Sequence, residues 1–327
     1  MKRIVLFILI ILLVLLCSCS INKATSFDYK RIDNGENNYL AGGKMAYKDN
    51  TLYLTAVSDS SLTSKTLAIN NNMIKLLYQT KSADEYMKNT TEFYQIKDKV
   101  YICTDDWYEL RTKDNSLKKV NRDEINRMTE ADYFSESIIV KSVVYGERFK
   151  VKYKNKPSYF VKHEYQNLCV GNDKVYFVDF SNNIYCNNPT KGKGDYKYLT
   201  DTVGEYHSHL GACGGYLYYD AIGETDDQYA DERADSGLYC YSEKDKINRL
   251  IVQGVINSIN SVNDIMYVAA ENGIYKCEKD KATKLCNEKA DEIYILDNSW
   301  IYGLDNTNGK VFRVNKNGKT TELIYQM

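Results

Sequence analysis

From Asn50 almost to the C-terminus one short pattern keeps returning. A polar turn is followed by an aliphatic residue and a tyrosine, then a short strand-like run and a loop. A second run ending in an aliphatic–aromatic pair and a Lys/Asn turn completes it. The clearest copies are Asn50-Thr51-Leu52-Tyr53-Leu54, Asp98-Lys99-Val100-Tyr101-Ile102 and Asp173-Lys174-Val175-Tyr176-Phe177. Three more are Gly215-Tyr216-Leu217-Tyr218-Tyr219, Asp264-Ile265-Met266-Tyr267-Val268 and Ser299-Trp300-Ile301-Tyr302-Gly303. The partner run recurs as Asn183-Ile184-Tyr185-Cys186, Gly237-Leu238-Tyr239-Cys240, Gly273-Ile274-Tyr275-Lys276 and Lys310-Val311-Phe312-Arg313.

Aromatic and β-branched residues alternating with polar ones, bounded by Asn, Asp and Gly, mark strands. With 30 Tyr and only 2 Pro among 327 residues, the composition suits strands and disfavours an Ala-rich helical bundle. A unit of roughly 40–50 residues holding four strands has the spacing of a propeller blade. Stacking blades around an axis buries both faces of each sheet, and a tyrosine ring fits between them with its hydroxyl reaching an edge. The expected fold is therefore all-β: a single β-propeller of four-stranded antiparallel blades over residues 38–327. Seven blades are expected, with six as the alternative, because residues 121–162 are blade-sized but lack a clean copy. Val143-Val144-Tyr145 is the weak candidate there, and Asn121 to Asp132 has the pattern of one short helix.

Val175-Tyr176-Phe177-Val178-Asp179 followed by Asn183-Ile184-Tyr185 resembles the repeat of low-density-lipoprotein-receptor-type (YWTD-like) propellers. So does Trp300-Ile301-Tyr302-Gly303-Leu304-Asp305 followed by Val311-Phe312-Arg313. Tyrosine is well kept, the repeat's Trp is missing from its slot, and the Asp appears in only some copies. The resemblance implies the fold and a bias toward ligand or protein binding, because fold alone does not give function.

The N-terminus reads as an address. Lys2 and Arg3 precede an unbroken apolar run from Ile4 to Leu16, shorter than the roughly 18–20 residues of a membrane-spanning helix. Leu16-Cys17-Ser18-Cys19 then resembles a bacterial lipobox with Leu16 at −3 and Ser18 at −1 of Cys19. The resemblance implies a signal peptide over residues 1–18, a diacylglycerol on Cys19, and a polar tether over residues 19–37. Two acyl chains hold a protein stably at a membrane where one does not. Cleavage removes two of the 43 basic residues and leaves all 44 acidic ones, so overall charge adds no attraction to anionic lipid. The expected location is the extracytoplasmic face of the cell membrane.

Motifs of common chemistries are missing. Gly318-Lys319-Thr320 ends like a phosphate-binding loop, but Arg313 stands where that loop needs glycine, so a hairpin turn is expected. There is no Gly-x-Ser-x-Gly elbow and no His-Glu-x-x-His helix. A net charge of −1 argues against a nucleic-acid partner. Cys103, Cys169, Cys186, Cys213, Cys240, Cys277 and Cys286 are odd in number, and several recur at equivalent slots, as small buried hydrophobes would. Cys277 and Cys286 flank a polar hairpin-like run and leave one disulfide open as an alternative.

One constellation invites a site. On a regular strand Glu205, His207 and His209 share a face, and alignment of neighbouring units sets His163 at the slot of Glu205. Two or three imidazoles and a carboxylate suit zinc or a similar divalent cation. The acidic loop that follows, with Asp226, Asp227 and Tyr229, is expected on the same rim, as is Asp105-Asp106-Trp107. Ordinary surface histidines and a solvated loop are the other reading, in which no cofactor is bound. The expectation for function is a binding or interaction module rather than an enzyme. It would recognise a protein, peptide or glycan through loops on one face. A polysaccharide hydrolase or lyase, and a structural or sensor component of a membrane complex, are the alternatives. A glycosidase needs two facing carboxylates, which nothing in the sequence fixes.

Overall fold

The computed structural model describes residues 44–58, 63–70, 73–81, 92–96, 99–104, 106–121, 133–134, 138–144, 146–203, 205–222, 236–296 and 299–327. They form seven four-stranded sheets, each antiparallel and each built from consecutive strands. The sheets span residues 45–81, 92–119, 133–162, 167–201, 205–253, 256–286 and 292–326, numbered here as blades 1 to 7. The first strands of blades 4, 5, 6 and 7 lie side by side, as do those of blades 1 and 2 and of blades 3 and 4. This is a seven-bladed propeller with the first strands innermost.

The marker tyrosines explain why the sheets stack. Tyr53, Tyr101, Tyr176, Tyr218, Tyr267 and Tyr302 all lie on second strands and are at most 3% exposed. Their neighbours on both blades form apolar clusters, so each blade face covers the next. Tyr176, Tyr206, Leu217 and Tyr219 join blades 4 and 5. Tyr218, Cys240, Met266 and Cys277 join blades 5 and 6. Blade 3 lacks the tyrosine and uses Phe149 on its third strand instead. That ring packs edge-on against Tyr165 at 5.3 Å and Phe177 at 5.4 Å. Its second strand is Ile138–Val144, so Val143-Val144 end a strand rather than begin one. The helical pattern at 121–132 lies outside the described residues, apart from Asn121.

The ring closes without a shared strand among the described residues. Leu52, Leu54 and Leu67 of blade 1 pack on Tyr294, Tyr302 and Leu304 of blade 7. The Lys44 backbone N–H donates to the Tyr294 hydroxyl at 2.9 Å, and the Lys44 ammonium pairs with Glu292. Inner strands approach so closely that a Cβ on Gly171 of blade 4 would lie 2.0 Å from the Ala212 carbonyl oxygen of blade 5.

The cysteines behave as core residues. Cys169, Cys186, Cys213, Cys240 and Cys277 are buried, Cys103 and Cys286 partly so, and all seven are free thiols. The Cys277–Cys286 disulfide is not formed. Cys277 stands opposite Ala282 and Cys286 opposite Ile274, with a register shift between. Cys277 faces blade 5 and Cys286 packs toward blade 7, so the two thiols point to opposite faces of their sheet. Burial pushes the Cys240 and Cys277 thiols up to about 12, which leaves them unreactive.

Candidate binding rim

The two ends of the propeller differ in how they spend their polar groups. At the lower end, the first and second strands of blades 1, 4, 5 and 6 are joined by two-residue turns. Asp49-Asn50, Asn172-Asp173, Gly214-Gly215 and Asn263-Asp264 all have both central residues at positive φ. Such turns match the strand twist, and Asn, Asp and Gly tolerate the left-handed region best. These turns also bond one another. The Gly214 N–H donates to Asp264 at 3.1 Å and the Gly215 N–H to Asn172 at 2.9 Å, a belt across blades 4 to 6. Gly318 at φ 72 likewise places Gly318-Lys319-Thr320 in the hairpin between the last two strands.

The upper end carries the longer connections, including 223–236 between Ile222 and Gly237. Glu205 pairs with Ile222, the last described residue before the acidic segment, so that strand end stands beside the start of the His-x-His strand. The strand itself is not regular. Tyr206 pairs with Ala221 and Leu210 with Tyr219, so three residues, 207 to 209, oppose Asp220 alone. This bulge breaks the alternation that would have aligned Glu205, His207 and His209 on one face.

Asp220, 2% exposed, fills the bulge. Its carboxylate accepts the backbone N–H of Ser208 at 2.9 Å and of His209 at 2.5 Å, and lies 2.8 Å from His209 Nδ1. Burial pushes the Asp220 carboxyl up, but the bonds and charge from His209 and Ser208 outweigh it, and the net shift is downward from 3.8. An ionised acid has only acceptors, so Nδ1 carries the proton it gives to Asp220. The Ser208 hydroxyl lies 2.9 Å from the same Nδ1. A Ser-His-Asp relay needs serine and aspartate on different ring nitrogens, so this trio is no triad. Asn167 of blade 4 ties in the bulge by donating to the Tyr206 hydroxyl at 2.7 Å and the Ser208 carbonyl at 2.8 Å.

The remaining expected residues are dispersed. Glu205 is exposed at the start of its strand. His163 follows the outermost strand of blade 3 and sits among rings of blade 4, 4.6 Å from Tyr185, 4.7 Å from Tyr196 and 5.4 Å from Phe177. It therefore belongs to an outer aromatic nest, not to the inner-strand slot of Glu205. Among the described residues no group of three or more His, Cys, Asp or Glu is placed to hold a metal ion. His207 is placed by its backbone within the bulge.

On blade 2, Trp107 begins the third strand opposite Cys103, at the upper end. Its ring rests on Tyr94 at 4.8 Å, and the Tyr94 hydroxyl donates to Glu92 at 2.6 Å. Burial and then the Glu92 carboxylate push the Tyr94 phenol up, so it stays a donor at any physiological pH. Asp106 pairs with Lys119. Asp105, Asp226, Asp227, Tyr229 and Cys19 lie outside the described residues. Asp220, which braces the bulge, gave only a weak sequence signal: an acid at the end of the run Tyr218-Tyr219-Asp220.

No family model matches the chain, and a search of curated proteins found no match. Solved structures similar to it include the computationally designed Ika8 protein, at 12% identity over 91% of this chain and 100% of that one, TM-score 0.43. BamB from Moraxella catarrhalis matches at 10% identity over 89% of this chain and 99% of that one, TM-score 0.44. The extracellular domain of a putative hybrid two-component system from B. thetaiotaomicron matches at 13% identity over 92% of this chain and 44% of that one, TM-score 0.47. The assignment of the fold rests on the seven sheets and their adjacent inner strands rather than on these likenesses.

Proposed function

We propose that the protein is a lipid-anchored, extracytoplasmic binding module. Cys19 carries the anchor, residues 19–37 form the tether, and the upper rim of the propeller recognises a protein, peptide or glycan. The observation that carries this reading is the contrast between the two ends. The lower turns of blades 4 to 6 are short and bonded to one another, whereas Trp107 and the Asp220-braced bulge stand at the upper end, where the chain's longer connections join the strands. Binding residues concentrate on variable loops held by a rigid scaffold. Trp107 is half-buried on Tyr94, which makes it a pre-set aromatic anchor of the kind that dominates interface energies.

Two experiments test the two parts. Radiolabelled palmitate should enter the wild-type chain in bacterial cells and be absent from Cys19→Ala; equal labelling of both would contradict the anchor. Affinity capture from native membranes should recover a partner that Trp107→Ala and replacement of residues 224–235 by a Gly/Ser linker each release. Unchanged capture by both variants would contradict the rim.

A further inference from the structure

We infer that the outer face of blade 3 is a binding surface for an anionic glycan. The face is built from the last two strands of that blade, Arg148–Tyr153 and Tyr159–Lys162. Between Arg148 and Lys162 the chain carries Arg148, Lys150, Lys152, Lys154, Lys156 and Lys162 and no acidic residue, within a protein of net charge −1. Strand alternation sorts them. Phe149, Val151 and Val161 are buried against blade 4, while Arg148, Lys150, Lys152, Phe160 and Lys162 are exposed on the other face. Lys154 and Lys156 in the turn lean instead over the Tyr153 ring, at 5.2 and 5.6 Å.

The register makes the arrangement costly for the fold. Arg148 stands directly opposite Lys162, and Lys150 directly opposite Phe160. Like charges facing each other across a strand pair are destabilising. Among the described residues none of Arg148, Lys150, Lys152 and Lys162 has an ion pair, whereas Lys44, Lys99, Lys119, Lys174 and Lys310 each have one. Phe160 is 48% exposed at the middle of the cluster. Unshared cations around an open ring match a ligand that brings both negative charge and a flat apolar face.

An anionic sugar polymer has both, with a charge on each unit and a C–H face that stacks on an aromatic ring. Same-face cations along one strand recur about every 6.5–7 Å, which suits a linear chain charged at each repeat. Single-stranded nucleic acid would call for several stacking rings rather than one. The face runs down the two outer strands of blade 3 from their upper ends and uses none of the residues assigned to the rim, so the inference does not rest on the rim reading.

The test is titration of fluorescent polygalacturonate oligomers with the full chain in neutral detergent, with dextran as the uncharged polymer and duplex DNA as a polyanion without exposed sugar faces. Wild type should bind polygalacturonate and not dextran, and more weakly as salt rises. Lys150→Glu with Lys162→Glu should weaken binding at least tenfold, and Phe160→Ala severalfold, with no drop in melting temperature. Lys281→Glu, an equal charge reversal on the exposed outer strand of blade 6, should bind as wild type. Absent binding, or normal binding by Lys150→Glu with Lys162→Glu, overturns the proposal. So does an equal loss of binding in Lys281→Glu, or DNA binding as tight as that of the glycan with Phe160→Ala neutral for both.

Discussion

The third and fourth strands of blade 3 have two faces that obey opposite rules. Toward blade 4, Phe149, Val151 and Val161 are wholly buried in one apolar cluster. On the reverse, Arg148, Lys150, Lys152 and Lys162 surround an open Phe160 and satisfy none of one another's charge. One residue of strand offset separates a face that stabilises the ring from a face that does nothing for it. The upper rim of blade 5 lies between these extremes. Its described polar groups are as chemically specific as those of blade 3, yet Asp220 binds Ser208 and His209 into the fold. Pairing thus distinguishes polar groups that hold the structure from those left for something else.

The largest effect should separate the two aromatic rings of blade 3. Phe149→Ala removes a ring with no exposure and packed on Tyr165 and Phe177, and should cost about 3–5 kcal/mol by urea denaturation. Phe160→Ala should stay within about 0.5 kcal/mol of wild type. Equal losses would mean that both faces are core.

Next comes the rim. Asp220→Asn weakens bonds from two backbone N–H groups and an imidazole, and should cost about 1–3 kcal/mol at neutral pH. The Asp220 carboxyl titrates lower in the folded chain than unfolded, so the folded state binds fewer protons. Its contribution is complete above the ordinary value of 3.8 and disappears as pH falls through the lower folded value. The stability gap between wild type and Asp220→Asn should therefore narrow in acid below about pH 4; a gap independent of pH would contradict the ionised carboxylate.

The smallest effect has the opposite sign. Lys162→Glu turns the Arg148 pairing from repulsive to attractive and should raise stability by about 0.2–1 kcal/mol. A loss would show that Lys162 is already paired.

How far the sequence leads depends on whether a feature is periodic. Tyr53, Tyr176, Tyr218 and Tyr302 announce their blades because six of the seven blades bury the same ring on the second strand. The blade without it, blade 3, is legible only by its length. Site geometry failed where it relied on ideal strands. Alternation put Glu205, His207 and His209 on one face, but a bulge held open by Asp220, distant from them in sequence, breaks the count. Hairpin symmetry brought Cys277 and Cys286 together, but one register shift sends them to different blade interfaces. The basic face is the reverse case. Arg148-Phe149-Lys150-Val151-Lys152 displays it plainly, and only the averaging of charge over 327 residues conceals it.

The account stands on ring closure, which brings residues 248 positions apart into contact at Lys44 and Glu292. A zero-length carbodiimide applied to dilute monomer should join these two side chains, detected by mass spectrometry of the proteolysed chain. The ion pairs Lys174–Glu243 and Lys310–Glu288 serve as markers within the propeller. A Lys44–Glu292 cross-link alongside both markers is the expected result. Both markers without it would leave blades 1 and 7 apart and contradict the closed ring.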